Sequence, residues 1–149
     1  MPGITLVMVA LLGGCVSKRH AMVVPGTDLA SIKNYYVVTP WGDKNSVNNL
    51  ICADLKSRQL QATTGLATQA PPDAQMLVTY QDKWCWDMST YLLQLDIQFR
   101  KPATDVPMAA GTSLRTSLAR KSASAMVKEV LDEIFSKAAP VPAALTGKP

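Results

Sequence analysis

The sequence predicts a two-layer α+β domain: an antiparallel sheet of about four strands with two helices packed on one face. Three observations carry this expectation. Tyr91, Leu93, Leu95, Ile97 and Phe99 alternate with Thr90, Leu92, Gln94, Asp96, Gln98 and Arg100. Such period-two patterning belongs to a sheet with one wet face. Two segments, 46–60 and 122–137, carry apolar residues at helical spacing. The elements come in the order β-α-β-β-β-α, so two apolar helix stripes and one apolar sheet face cover one another.

The first predicted strand runs from Ile32 to Val38, rich in Tyr and Val, and Pro40 ends it. Trp41-Gly42-Asp43 is turn chemistry, and Asn45 or Ser46 is placed to cap the helix that follows. In that helix Val47, Leu50, Ile51 and Leu55 share one face. Gln61 to Asp73, with Gly65, Pro71 and Pro72, reads as a loop. Gln75 to Trp84 is the second strand, and its pairing with Met88 to Arg100 predicts a hairpin turning near Cys85–Met88. Met108 to Leu118 is a weaker fourth strand in which Arg115 suits an exposed face. Ser122 or Ser124 can cap the second helix, where Met126, Val127, Val130, Leu131, Ile134 and Phe135 face the core and Lys128, Glu129, Asp132 and Glu133 lie mostly opposite. The chain from Ala138 shows no burial pattern and reads as a disordered tail, 138–149.

The 149 residues suit one domain with a modest core. A net charge of +4 is mildly basic and far from a nucleic-acid signature. It fits a solvated surface or contact with anionic envelope components. Enzyme signatures are absent: there is no Gly-x-Ser-x-Gly elbow, no His-Glu-x-x-His and no phosphate-cradling glycine loop. His20 is the one histidine and falls in a segment that reads as tether, so neither an enzyme nor a metal or cofactor site is expected.

The N-terminus is more specific. An apolar run from Ile4 to Leu12 ends in Leu12-Gly13-Gly14-Cys15 and then turns polar and basic in Ser17-Lys18-Arg19-His20. The run is too short to span a bilayer but suits the core of a secretory signal. Met1–Thr5 holds no Lys or Arg, so the α-amino group alone supplies the charge that usually precedes such a core. Leu12 three positions before Cys15, with two glycines between, resembles the lipobox of bacterial lipoproteins. With the predicted element order, the chain resembles small lipobox-bearing outer-membrane lipoproteins with a two-layer α+β domain, uncharacterised families among them. At the level of architecture it is also similar to auxiliary lipoproteins of envelope assembly. The resemblance implies cleavage after residue 14, a diacylglyceryl thioether on Cys15, and an acylated amine that completes a stable anchor. Val16 rather than Asp follows Cys15, which implies the periplasmic face of the outer membrane. Residues 15–31 are then the lipidated Cys and a tether, and 32–137 the domain. The implied function is a non-enzymatic lipoprotein that binds or scaffolds envelope components. The alternative is a small carrier holding an apolar or anionic ligand between helices and sheet.

Three groups of residues are candidates for more than packing. Cys52 and Cys85 remain once Cys15 is lipidated, and an oxidising periplasm permits a disulfide. Cys52 sits at the edge of its helix face, so a bridge and two separate thiols both stand. Trp84 and Trp86 project to one side of a continuing strand, either as a partner, sugar or membrane contact or as cover for an open end of the core. Arg115, Arg120 and Lys121, with Arg100 and Lys101, form a basic group that suits a partner's acidic surface, a lipid phosphate or plain solvation.

Overall fold

The computed structural model describes residues 16–138. The signal segment 1–14, Cys15 and residues 139–149 of the expected tail lie outside the described residues. Six strands form one mixed sheet in the order β1-β6-β5-β4-β2-β3: β1 Ser17–Val23, β2 Asn34–Val38, β3 Gln61–Gly65, β4 Met76–Asp87, β5 Ser89–Arg100 and β6 Pro107–Arg115. Helices α1 Val47–Ser57 and α2 Ala123–Ala138 pack against each other and against the sheet.

This corrects the expected fold in three respects. The sheet has six strands rather than about four, the order is β-β-α-β-β-β-β-α, and the sheet is not wholly antiparallel. β2 runs parallel to both β3 and β4. A parallel neighbour requires a crossover, and α1 provides it between β2 and β3. The two unexpected strands are the two sheet edges. β1 occupies the segment expected to be tether, and β3 the start of the segment expected to be loop.

The remaining pairs are antiparallel, β4 with β5, β5 with β6 and β6 with β1. The β4–β5 hairpin turns on Met88 alone, whose φ of 59° lets Asp87 face Ser89. Partway along, Lys83 pairs with Gln94 but Trp84 pairs with Leu92, so Leu93 is an extra residue in β5. A bulge of this kind reverses side-chain alternation. Leu95, Ile97 and Phe99 face the core as expected, but on the far side of the bulge Leu92 is buried in place of Tyr91 and Leu93.

The core lies between helices and sheet. Val47, Ile51 and Leu55 of α1 and Met126, Val127, Val130, Leu131 and Ile134 of α2 are fully buried against it. Tyr35, Phe99 and Phe135 form an aromatic trio with ring centroids 5.5–6.4 Å apart. α2 crosses β6 where that strand presents only small residues, Ala109, Gly111 and Ser113, to the core. A β-carbon on Gly111 would lie 2.8 Å from Val130 Cγ1 and 2.9 Å from Ile134 Cγ1. The missing side chain is what lets the helix approach. Ser122 Oγ accepts from the Ala125 N–H and caps α2. Ser46 stands before α1 in a left-handed conformation and makes no side-chain cap.

Candidate functional site

The strand registers bring several chain segments to one end of the sheet. Ser17 at the start of β1 lies beside Arg115 at the end of β6. Val16 O accepts from the Thr116 N–H. β2 stops pairing with β4 at Val37↔Val78, while β4 and β5 run on to Asp87↔Ser89. The hairpin therefore projects as an arm past its neighbours. The β2–α1 loop ties to the base of this arm. Tyr80 donates its hydroxyl proton to Asp43, and Asp82 accepts from Asn45 Nδ2 at 3.2 Å and from Trp84 Nε1 at 2.6 Å. The β6–α2 loop ties to its tip. Arg120 donates to Asp87 O and Ser89 Oγ, both at 2.6 Å, and its guanidinium lies 4.4 Å from the centre of the Tyr91 ring.

These loops and the arm hold the four most exposed large apolar side chains among the described residues. They are Trp41 (94 % exposed), Met88 (91 %), Leu118 (80 %) and Trp86 (76 %). Trp84 and Trp86 leave β4 on the same side, but only Trp84 packs against the core. One of the pair covers the core end and the other is free. The sequence points to Trp86 but not to Trp41, Met88 or Leu118. Each is a lone apolar residue in a turn, and only the folded registers collect them.

The basic candidates separate. Arg100 lies at the other end of β5, bonded to Gln98 and Asp105. Arg120 holds the arm. Arg115, expected on an exposed face, is instead 8 % exposed and paired with Glu129, itself 8 % exposed and expected opposite the core. Ser113 Oγ donates to Glu129 Oε2 at 3.0 Å, while Arg115 Nη2, Lys121 Nζ at 3.3 Å and Arg19 Nε at 3.3 Å converge on Oε1. Burial alone would push this carboxyl up. The Ser113 hydrogen bond, the Arg115 charge and the Lys121 hydrogen bond outweigh it and hold it below the ordinary value. A glutamate at the margin of a helix stripe reads as solvated from sequence. Three cations from β1, β6 and the β6–α2 loop cover it.

Cys52 and Cys85 are not joined. Cys52 is buried on α1 within the core, where burial raises its thiol pKa. Cys85 follows Trp84 on β4 and so points to the opposite side of the sheet. The centre of the layer between helices and sheet is occupied by the buried side chains named above. Hollows open elsewhere. One of about 450 Å³ lies on the outer sheet face, among Thr79, Gln81, Asp96, Gln98, Arg100 and Thr112. Another of about 460 Å³ lies between β1 and α2, among Arg19, Lys121, Lys128 and Glu129.

No protein-family model and no curated protein matches the chain by sequence. Solved structures match it by shape. PelC from Paraburkholderia phytofirmans, described as a dodecamer, superposes with a TM-score of 0.62 at 13 % identity, covering 80 % of this chain and 98 % of that one. A single-substitution variant of the same PelC, also a dodecamer, gives 0.62 and 13 %, covering 79 % and 97 %. At this identity the likeness establishes a shared fold.

Proposed function

We propose that the chain is a lipid-anchored lipoprotein of the bacterial cell envelope whose α+β domain binds or scaffolds other envelope components without catalysing a reaction. One observation carries this reading. The end of the sheet at which residue 16 enters, next to Cys15 of the lipobox-like segment, also displays Trp41, Trp86, Met88 and Leu118. An exposed apolar group of this kind marks a membrane or partner contact. β1 starts at Ser17, so the segment that follows Cys15 in sequence belongs to the sheet rather than to a long tether. A thioether-linked diacylglycerol there would bring the aromatic and apolar tips to the bilayer surface, where Trp is favoured. The fold shared with PelC supports the same reading and extends it: the scaffold would form by self-assembly, as that protein is dodecameric. For the carrier alternative, the buried side chains at the centre of the layer leave the hollow between β1 and α2 as the place for a ligand.

The anchor is tested by replacing Cys15 with Ala in cells fed labelled palmitate. The variant is expected to lose the label and move from the membrane fraction to the soluble periplasm. A variant that keeps both its label and its membrane association overturns the lipoprotein reading. Capture of the tagged, lipidated protein from detergent extracts then reports its partners, and light scattering of the same preparation reports self-assembly.

A further inference from the structure

The cations around Glu129 exceed what one carboxylate can neutralise. Arg19, Arg115 and Lys121 all address its Oε1, which leaves two positive charges unmatched. Neighbouring acids do not supply the difference. Asp132 is bonded to Lys128 and Arg58, and Glu133 lies beside Lys137. Arg115 Nε is buried and has no hydrogen-bond partner among the described residues. An unpaired buried donor on a charged group is costly unless something accepts from it. Arg19 and Lys121, in contrast, keep their side chains 57 % and 43 % exposed and line the hollow between β1 and α2. The hollow is therefore open to solvent, and besides these two donors it is lined by Lys128 and by the carboxylates of Glu129, Asp132 and Glu133, the last two paired with Lys128, Arg58 and Lys137.

We propose that the β1–α2 hollow at Arg19, Lys121 and Glu129 is a binding site for a phosphate group carrying two negative charges, inorganic phosphate or a phosphate monoester. One guanidinium from β1 and one ammonium from the β6–α2 loop line the hollow, and the buried Arg115 guanidinium of β6 adds its positive charge from behind Glu129. A tetrahedral anion offers acceptors in several directions at once, which a single carboxylate cannot. Its two charges match the two left over. Glu129 is then the residue that gathers the donors and fixes their directions, and the anion completes them. The site lies two residues along β1 from the end assigned to the membrane, so a phosphate-bearing lipid headgroup and a soluble phosphate can both reach it. The lipid source rests on the envelope reading above; the phosphate site itself does not.

The test uses the full chain in a neutral detergent, with amide NMR as readout. Titration with inorganic phosphate is expected to shift the Arg19, Lys121 and Glu129 signals saturably, while sodium chloride at equal ionic strength does not. Arg19→Ala and Lys121→Ala should each weaken binding about tenfold, the size expected for losing one charge-assisted hydrogen bond. Lys101→Ala, at an exposed lysine just past the far end of β5 and outside the hollow, should leave it unchanged. Circular dichroism of each variant confirms folding. Chloride producing the same shifts, or an unchanged affinity in both the Arg19 and Lys121 variants, overturns the proposal. A second arm compares phosphatidylcholine vesicles with and without phosphatidic acid. If the acidic lipid strengthens association and Arg19→Ala removes that increment, the ligand is a headgroup. If phosphate binds in the first arm while the increment is absent or indifferent to Arg19, the ligand is soluble. Failure to bind either vesicle counts against the envelope reading, while the phosphate titration alone decides whether the site exists.

Discussion

Each helix presses one polar side chain into the sheet, and the two are built differently. On α1 it is Asn48, whose Nδ2 donates to Thr39 Oγ1 at 3.0 Å and Thr64 Oγ1 at 3.1 Å. Thr64 in turn donates to Val37 O at 2.8 Å. This network is neutral, local and closed. On α2 it is Glu129, which gathers Ser113, Arg115, Lys121 and Arg19. That network is ionic, spans three further elements, and has charge to spare. Both fix a helix against its strands. Only the second can respond to pH or to an anion, because only it holds a group whose charge changes or is incompletely matched.

The largest effect expected from this contrast is Glu129→Ala. It strands the Arg115 guanidinium in the core, and loss of one partner of a buried pair costs roughly 3–5 kcal/mol. Urea denaturation should show it, and a loss below about 1 kcal/mol, the scale of an exposed ion pair, would mean that the pair is effectively solvated. Next comes Gly111→Val, which drives a side chain into Val130 and Ile134. Overpacking of this kind costs about 1–3 kcal/mol, and an unchanged thermal midpoint would show that α2 can lift without penalty. Asn48→Ala should cost about 1–2 kcal/mol, the scale of leaving buried hydroxyls short of a partner. Unlike Glu129→Ala, it should do so equally at every pH measured. The smallest effect is the pH dependence of the native protein. The Glu129 carboxyl is held below its ordinary value of 4.5, so the unfolded chain binds this proton more readily than the folded one. Its contribution is complete above that value and is lost as pH falls through the lower folded value. Glu129→Gln should flatten this acid limb of stability against pH, and Asn48→Ala should leave it in place.

The same contrast marks what is legible in the sequence. Helix stripes and the period-two run of β5 are written in apolar spacing, and both helices and the central hairpin are readable from it. The strands that escape such reading, β1 and β3, each bury a single residue, Ala21 and Ala62. An edge strand that contributes one side chain to the core leaves no alternation to read. Parallel pairing of β2 is invisible because it depends on which neighbour accepts the strand. Leu93 shows the limit of periodicity even in the clearest element: one inserted residue moves Tyr91 off the face that its spacing assigns. Of the candidate site, Trp86 and Lys121 are readable from exposure and charge. Glu129 and Arg19 are not, since a charged residue announces burial only through partners distant in sequence.

The position of β1 also has a mechanical consequence. It begins two residues after Cys15 and pairs with β6 along its whole length, from Ser17↔Arg115 to Val23↔Ala109. Lys137 Nζ clasps its Ala21 carbonyl from α2 at 2.7 Å. A pull on residue 16 along the strand axis would load that ladder in shear. Its rungs would then share the force, where peeling from a strand's side would open them one at a time. A domain held by this end and tugged by whatever it binds would resist tearing away from its own first strand.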